Sequence, residues 1–225
     1  MNGSNTAYQH VLDYIADQIK SGEINKGTKI PTERELADLL GYSRATIREA
    51  YTALEMIGLV EQRPGLGTII KKDFDNWIIG PVNIIFKLSG TGVKEVYEFR
   101  KMIEVETATL AAEKITDEEI VQLTEYYEKM VDTKDENVAS LYDKKFHNVI
   151  AKATKNSIIL NTYNAMSPML DLFTVDIRKV VLAREPEGIL ESIHQNIFCA
   201  IVSRDKDRAR LAMKMHMDMI SKYYA

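Results

Sequence analysis

Four side chains with the chemistry of metal ligands occur in the second half of the chain, each within a stretch of helical apolar spacing. They are Asp143, His147, His194 and His216. Asp143 precedes His147 by four residues, so the two side chains stack on one helix face. Imidazole nitrogens and a carboxylate suit a divalent ion, with Zn expected first and Ni, Mn or Fe as alternatives. Core histidines with satisfied nitrogens are the alternative, and spacing alone leaves both open.

An arginine is placed on the inward-facing side of a predicted helix. Arg100 lies beside Val96 and Tyr97, where an arginine is rarely buried without a partner. Glu104 follows four residues later and can pair with Arg100 across one helical turn. An intrahelical ion pair and a direct contact between Arg100 and an anionic ligand are both compatible with this spacing. Weaker candidates for lining such a pocket are Asn156, Asn161, Tyr163, Asn164 and Arg178.

A second group of polar side chains, in the first third of the chain, has a pattern typical of DNA recognition. Ser43 can cap a helix whose first turns present Arg44, Thr46 and Arg48, with no acid between residues 42 and 48. The major groove, about 12 Å wide, admits a helix with long polar residues at its N-terminus, and arginine can donate two hydrogen bonds to guanine. Arg34, in the first turn of the preceding helix, points to the same side.

Two β-leaning runs, 59–62 and 68–71, follow this helix and are joined by a Gly/Pro cluster that predicts a hairpin. Gly65 and Gly67 lie at its tip, where contact with a sugar-phosphate wall leaves little room for a side chain. Two helices joined by a short turn and followed by such a hairpin form the winged helix-turn-helix plan. A winged helix that contacts only proteins is the alternative.

Helical spacing also predicts the elements that must position these residues. A first helix covers 6–19, Thr32 and Glu35 form a capping box before a second, and the third covers 44–57. From residue 76 onward we expect seven helices, at about 76–88, 93–115, 117–132, 136–154, 157–182, 187–203 and 206–223. The expected fold is mainly α. It has a winged helix-turn-helix DNA-binding domain at 1–75 and an all-α seven-helix bundle for effector binding and dimerisation at 76–225.

Composition excludes several classes of protein. The chain has 225 residues and a single cysteine, which argues against disulfide scaffolds and Cys-rich zinc sites and fits a reducing cytoplasm. Cys199 is expected to be a small buried residue. No uncharged stretch approaches the about 20 apolar residues that span a bilayer, so no membrane partner is expected. The N-terminus lacks a basic region followed by an apolar run, so no secretory signal is expected.

The net charge of −4 argues at first against a nucleic-acid partner. Residues 1–75 hold nine Lys and Arg against eleven Asp and Glu, so even the expected DNA-binding domain has no basic excess. DNA binding must then depend on where the arginines lie. We therefore expect weak non-specific binding and a modest dependence of affinity on salt.

Residues 8–71 closely resemble the N-terminal domain of the GntR family of bacterial transcription regulators. The shared motifs are Ile30-Pro31-Thr32-Glu33-Arg34, Tyr42-Ser43-Arg44, Arg48-Glu49-Ala50, Leu54-Glu55, Gly58-Leu59 and Gly65-Leu66-Gly67-Thr68. The resemblance implies that Arg34, Arg44 and Arg48 contact DNA and that Gly65 and Gly67 belong to the wing. The departures from the family pattern are Ile30 for Leu, Tyr42 for Val and Ala45 for Thr.

Residues 93–220 resemble the all-helical, FCD-type ligand-binding domain of the FadR subfamily. The resemblance implies a metal held by Asp143, His147, His194 and His216. It also implies an Arg-x-x-x-Glu pattern at Arg100 and Glu104, whose arginine meets the carboxylate of the effector. Seven helices after the wing favour the larger FadR-like group over its six-helix variant.

These patterns predict a transcription regulator, a repressor, that binds a pseudo-palindromic double-stranded operator as a homodimer. A divalent ion with one carboxylate and three neutral imidazoles stays positive and retains open coordination positions. Both features favour a small organic acid effector, such as a carboxylate with a neighbouring hydroxyl. A metal-dependent enzyme is one alternative, although no further carboxylate is placed as general base. A regulator with a purely structural metal is the other.

Overall fold

The structure is a computed structural model that describes residues 3–72, 84, 88–90 and 92–223. Its backbone divides into two compact units, Met1–Pro81 and Val82–Ala225. The expected domain boundary after residue 75 and most of the expected helix at 76–88 lie outside the described residues. The fold class is confirmed, because three helices and a two-stranded hairpin precede a second unit made of helices.

The first unit contains α1 (Gly3–Ser21), α2 (Glu33–Leu40), α3 (Arg44–Met56), β1 (Val60–Arg63) and β2 (Gly67–Ile70). The two strands pair antiparallel, with Val60 opposite Ile70 and Arg63 opposite Gly67. One face of each helix and the paired strand residues Val60 and Ile70 meet in a common apolar core. Its most deeply buried members include Val11, Leu36, Ile47, Tyr51, Leu54, Val60 and Ile70.

Side-chain caps fix where α2 and α3 begin. The Thr32 hydroxyl accepts from the Glu35 amide at 3.3 Å, and the Thr32 amide donates to the Glu35 carboxylate at 2.7 Å. Ser43 accepts from the Thr46 amide at 3.1 Å. Between the helices, Gly41 has a φ of 73°, a left-handed conformation that favours glycine. These local signals set the register of α3 and thus the residues at its exposed N-terminus.

The second unit contains six helices among its described residues. They are α4 (Val93–Lys114), α5 (Asp117–Val131), α6 (Glu136–Ala153), α7 (Ser157–Arg184), α8 (Ile189–Val202) and α9 (Lys206–Ser221). Their positions agree with the six predicted helices from residue 93 onward. Helix α4 packs against α6, α7, α8 and α9, and its inward face buries the polar residues Arg100, Glu104 and Thr107.

Cys199 is a correction to the sequence analysis, because its side chain is exposed rather than buried. The inward face of α8 is occupied by His194, Ile197 and Ile201, which are at most 1% exposed. Cys199 lies on the opposite, exposed face of α8 and points away from the core. Within the described residues, no helix combines the length and apolar character needed to cross a membrane.

Replacing Thr32 by Ala should destabilise the first unit by about 1 kcal/mol, because the Glu35 amide loses its capping oxygen. Urea unfolding of the full chain, with hydrogen exchange of the α2 amides, measures this loss. Thr52→Ala is the matched control, since Thr52 is exposed within α3 and alanine favours a helix interior. Equal destabilisation by both substitutions would contradict the role of the cap.

Candidate functional site

Three histidines from three helices meet in the core of the second unit. His147 on α6, His194 on α8 and His216 on α9 are each at most 2% exposed. Each offers a ring nitrogen, and these nitrogens all lie within 4.8 Å of one another. His147 Nε2, His194 Nε2 and both nitrogens of His216 have no hydrogen-bond partner. Buried polar atoms without partners are costly, and a divalent metal ion would satisfy them together.

Asp143 completes this cluster. Its Oδ1 lies 3.5 Å from His147 Nε2, and its Oδ2 lies 3.5 Å from His194 Nε2. Burial raises the pKa of the Asp143 carboxyl, but His194, His147 and Arg178 outweigh it and hold that pKa well below its usual range. Asp143 is therefore an ionised carboxylate placed between two histidine nitrogens. The four predicted ligands are brought together.

The hydrogen bonds around the histidines indicate which nitrogens are available to a metal. His194 Nδ1 lies 2.8 Å from the Leu190 carbonyl, which can only accept, so Nδ1 carries a proton and Nε2 is the nitrogen available to a metal. Burial, followed by the charges of His194 and His147, holds the pKa of His216 well below its usual value. A neutral imidazole is the form that ligates metals, so the cluster fits a divalent ion.

Arg100 and Glu104 are both buried on α4, at 5% and 2% exposure. Arg100 donates from Nε to Glu104 Oε1 and from Nη1 to the Tyr97 hydroxyl at 3.2 Å. The other carboxylate oxygen of Glu104 contacts His147 Nδ1. Burial raises the pKa of Glu104, but Arg100 and His147 lower it to about 2. The intrahelical ion pair considered from the sequence is thus present, and Glu104 also reaches the histidine cluster.

Two small adjoining cavities open beside the cluster, and both are lined by Arg100, Asp143 and Thr174. The first is also lined by Tyr97, Ile177, Arg178, Val181, Leu190, His194, His216 and Ile220. The second is also lined by Ser140, Lys144, Tyr163 and Ser167. Their volumes, about 20 Å³ and about 10 Å³, leave room for no more than a water molecule. A larger ligand therefore requires side chains to move.

Arg178 joins the cluster to the first turn of α6. Its Nη1 donates to Asp143 Oδ2 and its Nε donates to Glu136 Oε2, both at 2.9 Å. From the sequence, Arg178 was only a weaker candidate for lining the pocket. Its position on an apolar stripe with Ile177 and Val181 was the sequence signal that could have marked Arg178 as a stronger candidate. One oxygen of Asp143 is therefore hydrogen-bonded to an arginine.

The structure separates the predicted effector residues. Arg100 lines both cavities, whereas Glu104 and Asn164 are not among the lining residues. Asn164 instead accepts from Asn148 Nδ2 at 2.7 Å. The sequence analysis did not identify the hydroxyl-bearing residues that line the second cavity beside Tyr163. Of these, Ser140 lies three residues before Asp143 on α6, a spacing that places both on one face.

The candidate DNA-recognition residues lie at the exposed N-terminal end of α3 and on α2. Ser43, Arg34, Arg44 and Arg48 are exposed, and the hydroxyls of Ser43 and Thr46 lie 2.8 Å apart. Their positions around the beginning of α3 leave Arg34 and Arg44 accessible from solvent. This arrangement is compatible with insertion of α3 into a major groove.

Arg48 has a partner that the sequence analysis did not foresee. Its Nη2 donates to Glu33 at 2.8 Å, and its Nε lies 3.0 and 3.1 Å from the two oxygens of the same carboxylate. The hydrogen bond from Arg48 lowers the pKa of Glu33 despite slight burial, with help from Arg44. The acid comes from α2, so the absence of acids within residues 42–48 did not exclude an ion pair.

The wing glycines have backbone reasons for their identity. Gly65 and Gly67 have φ values of 76° and 94°, in the region that favours glycine. A Cβ on Gly67 would also lie 2.8 Å from Cε of Lys29. Both glycines are therefore needed to form the hairpin tip, whatever the tip contacts.

Both units match models of known protein families. Residues 7–70 match the family model described as bacterial regulatory proteins, gntR family, and residues 95–219 match the FCD domain. The solved structure of Streptococcus agalactiae GntR shares the fold, with a TM-score of 0.76 and 24% identity. The alignment covers 98% of this chain and 99% of that one.

Two curated relatives match along nearly the whole chain. The HTH-type transcriptional regulator LutR of Bacillus subtilis is 30% identical over 213 residues, covering 92% of this chain and 97% of LutR. The putative L-lactate dehydrogenase operon regulatory protein of Escherichia coli is 32% identical over 223 residues, covering 94% and 85%. The expectation of a regulator rather than an enzyme is confirmed by these relatives. The chain belongs to the GntR family of bacterial regulatory proteins and is a transcription regulator with a C-terminal FCD domain.

Proposed function

We propose that this regulator binds a pseudo-palindromic operator as a homodimer and that a small organic acid, bound beside a divalent metal, changes its affinity for the operator. The observation that carries the proposal is the set of buried histidine nitrogens without partners around Asp143, beside two cavities lined by Arg100. The DNA-binding unit supplies the second site that a metabolite-controlled switch requires. The proposal includes a FadR-like helical domain, repression as the mode of action, and the cytoplasm as the compartment.

The charges around the histidines favour an anionic effector. Two buried arginines, Arg100 and Arg178, balance two buried carboxylates, Glu104 and Asp143. A divalent ion held by neutral imidazoles would then leave the site positive, and a carboxylate would neutralise part of that charge. A buried positive charge that lacks an anionic partner is energetically unfavourable.

The residues that line the cavities favour a short acid with a polar substituent. The lining of the first cavity combines Arg100 and the candidate metal ligands with apolar side chains. The second cavity adds hydroxyl groups of Ser140, Tyr163 and Ser167. A 2-hydroxycarboxylate has oxygen atoms suited to contact both sets of groups, and one relative is named for an L-lactate dehydrogenase operon. We therefore choose L-lactate as the first probe of this class.

The metal part of the proposal predicts one Zn²⁺ site per protomer that depends on His194. His194→Ala should weaken Zn²⁺ binding by more than the about 10- to 100-fold typical of outer-shell partners, because a ligand is lost. Competition with a chromophoric chelator measures the affinity. His10→Ala is the matched control, since His10 is an exposed residue of α1. Equal loss in both variants, or no Zn²⁺ binding by the unaltered protein, would contradict the site.

The DNA part predicts that Arg44→Ala lowers affinity for a specific duplex by about 10- to 100-fold, because a base contact is lost. The duplex is selected from a random library with the unaltered protein, and fluorescence anisotropy measures affinity for it and for an unrelated duplex. Lys20→Ala is the control, since Lys20 is exposed on α1 and the same charge is lost.

Similar losses in the Arg44 and Lys20 variants would show that net charge, rather than the placement of the arginines, determines binding.

We also expect affinity to depend modestly on salt, because the first unit has no basic excess. A log–log slope as steep as about ten per dimer would contradict that expectation.

The switch predicts that L-lactate and the selected duplex influence each other equally. Any fold-change that saturating L-lactate causes in duplex affinity should equal the change that the duplex causes in L-lactate affinity. Calorimetry and anisotropy measure the two, with propionate as the control that lacks the hydroxyl. Duplex affinity that stays constant while L-lactate binds would disprove the switch. Metal removal that lowers the melting temperature but preserves the response would instead indicate a structural metal.

A further inference from the structure

Glu104 occupies the space between Arg100 and the histidine cluster. Its Oε1 accepts from Arg100 Nε on the same helix, and its Oε2 contacts His147 Nδ1 across the α4–α6 interface. The Oε2–Nδ1 contact is close but lacks the alignment of a regular hydrogen bond. Glu104 is 2% exposed and is not among the residues that line the two cavities. Its position suits a role behind the metal ligands rather than against the effector.

The contact with Glu104 determines which nitrogen of His147 remains for a metal. An ionised carboxylate only accepts hydrogen bonds, so the proton of the neutral imidazole is favoured on Nδ1. Nε2, which lies 3.5 Å from Asp143 Oδ1 and has no partner, then keeps its lone pair. His194 shows the same arrangement, with the Leu190 carbonyl in the place of Glu104. A ligating histidine nearly always donates its second N–H to such a partner.

Arg100 links the contact between Glu104 and His147 to the cavities. It lines both of them and shares its positive charge with Glu104. An anion that accepts from Arg100 draws part of that charge away from Glu104. Glu104 then becomes a stronger acceptor for His147 Nδ1, and His147 a more basic ligand at Nε2. The three side chains connect the two cavities to the metal cluster.

We propose that Glu104 is a positioning residue, which fixes the tautomer and ring orientation of His147 for metal binding and couples anion binding at Arg100 to the metal. This inference rests on the metal site of the proposed function, and it assigns Glu104 a role other than effector contact. The metal and the anion should therefore each bind more tightly in the presence of the other.

Glu104→Gln tests the proposal with almost no change of shape. The amide of glutamine has one acceptor oxygen, whereas Arg100 and His147 both require an acceptor. With the oxygen facing the always-charged Arg100, the NH₂ group faces His147 Nδ1 and favours the tautomer with its proton on Nε2. That tautomer cannot ligate through Nε2. We expect Zn²⁺ affinity, measured by chelator competition on the full-length protein, to fall by about 10- to 100-fold.

Two further variants separate positioning from general damage. Glu106→Gln makes the same change two residues away, in an exposed carboxylate paired with Arg210, and should alter Zn²⁺ affinity by about twofold at most. Arg100→Met combined with Glu104→Gln removes the competing donor, so the amide oxygen can turn to His147. This double variant should bind Zn²⁺ more tightly than Glu104→Gln alone. A merely structural role for Glu104 would predict further loss.

Nitrogen-15 NMR of the metal-free, histidine-labelled protein tests the contact without any variant. We expect His147 to carry its proton on Nδ1, assigned by comparison with His147→Ala. A His147 ring whose only proton is on Nε2 would overturn the proposal, as would Zn²⁺ affinity of Glu104→Gln equal to that of the unaltered protein. Absence of Zn²⁺ binding in the unaltered protein would instead overturn the metal site itself. The tautomer and the coupling are therefore tested apart from the proposed function.

The coupling to the anion has its own readout. In the unaltered protein, saturating L-lactate should tighten Zn²⁺ binding, and the gain should disappear in Glu104→Gln but persist in Glu106→Gln. A gain of the same size in both variants would show that the anion acts on the metal without Glu104.

Discussion

The pairing of buried charges is the constraint on which the helical unit depends. Asp143 and Glu104 are carboxylates in a core that otherwise consists largely of apolar side chains, and an unpaired charge there costs several kcal/mol. Arg178 and Arg100 supply the opposite charges, each through a direct hydrogen bond. Among the described residues, several histidine nitrogens between these pairs remain without hydrogen-bond partners. The proposed metal would occupy the position that the ion pairs do not satisfy.

The same pairs limit how a ligand can enter. Arg100 and Arg178 both line the first cavity, and both are bound to carboxylates. Because that cavity holds about 20 Å³, an organic acid must displace side chains before it reaches the histidines. Arg178 has the more accessible partner, since Glu136 is 24% exposed whereas Glu104 is 3% exposed at the side chain. Movement of Arg178 away from Glu136 would also free the first turn of α6. A ligand that favours this arrangement shifts the population of the helical unit toward it.

The parts of the fold that the sequence predicts well are those set by local signals. Thr32, Ser43 and Gly41 determine the beginning or end of helices through neighbours a few residues away, and Asp143 meets His147 through the helical repeat. Contacts between helices are not set by such local signals. Arg178 finds Asp143 across 35 residues, and nothing in spacing or residue type fixes which helices pack together. Resemblance to a family suggested the four candidate ligands, but the second contact of Glu104 required the packing of α4 on α6.

Charges are also paired in the winged helix, but the ion pair there is exposed, so its consequence differs from that of the buried pairs. Arg48 has a side chain that is 60% exposed, so its bond to Glu33 contributes little stability and would exchange readily for a DNA partner in the proposed complex. The carboxylate nevertheless holds the guanidinium in one orientation and offsets its charge toward unrelated phosphates. A specific site can replace Glu33 with a matching acceptor, whereas a non-specific duplex offers only a phosphate at variable distance. In the proposed DNA complex, an acid beside α3 would thus reduce non-specific binding more than specific binding. In a domain without a basic excess, selectivity for sequence then depends on the geometry of a few arginines.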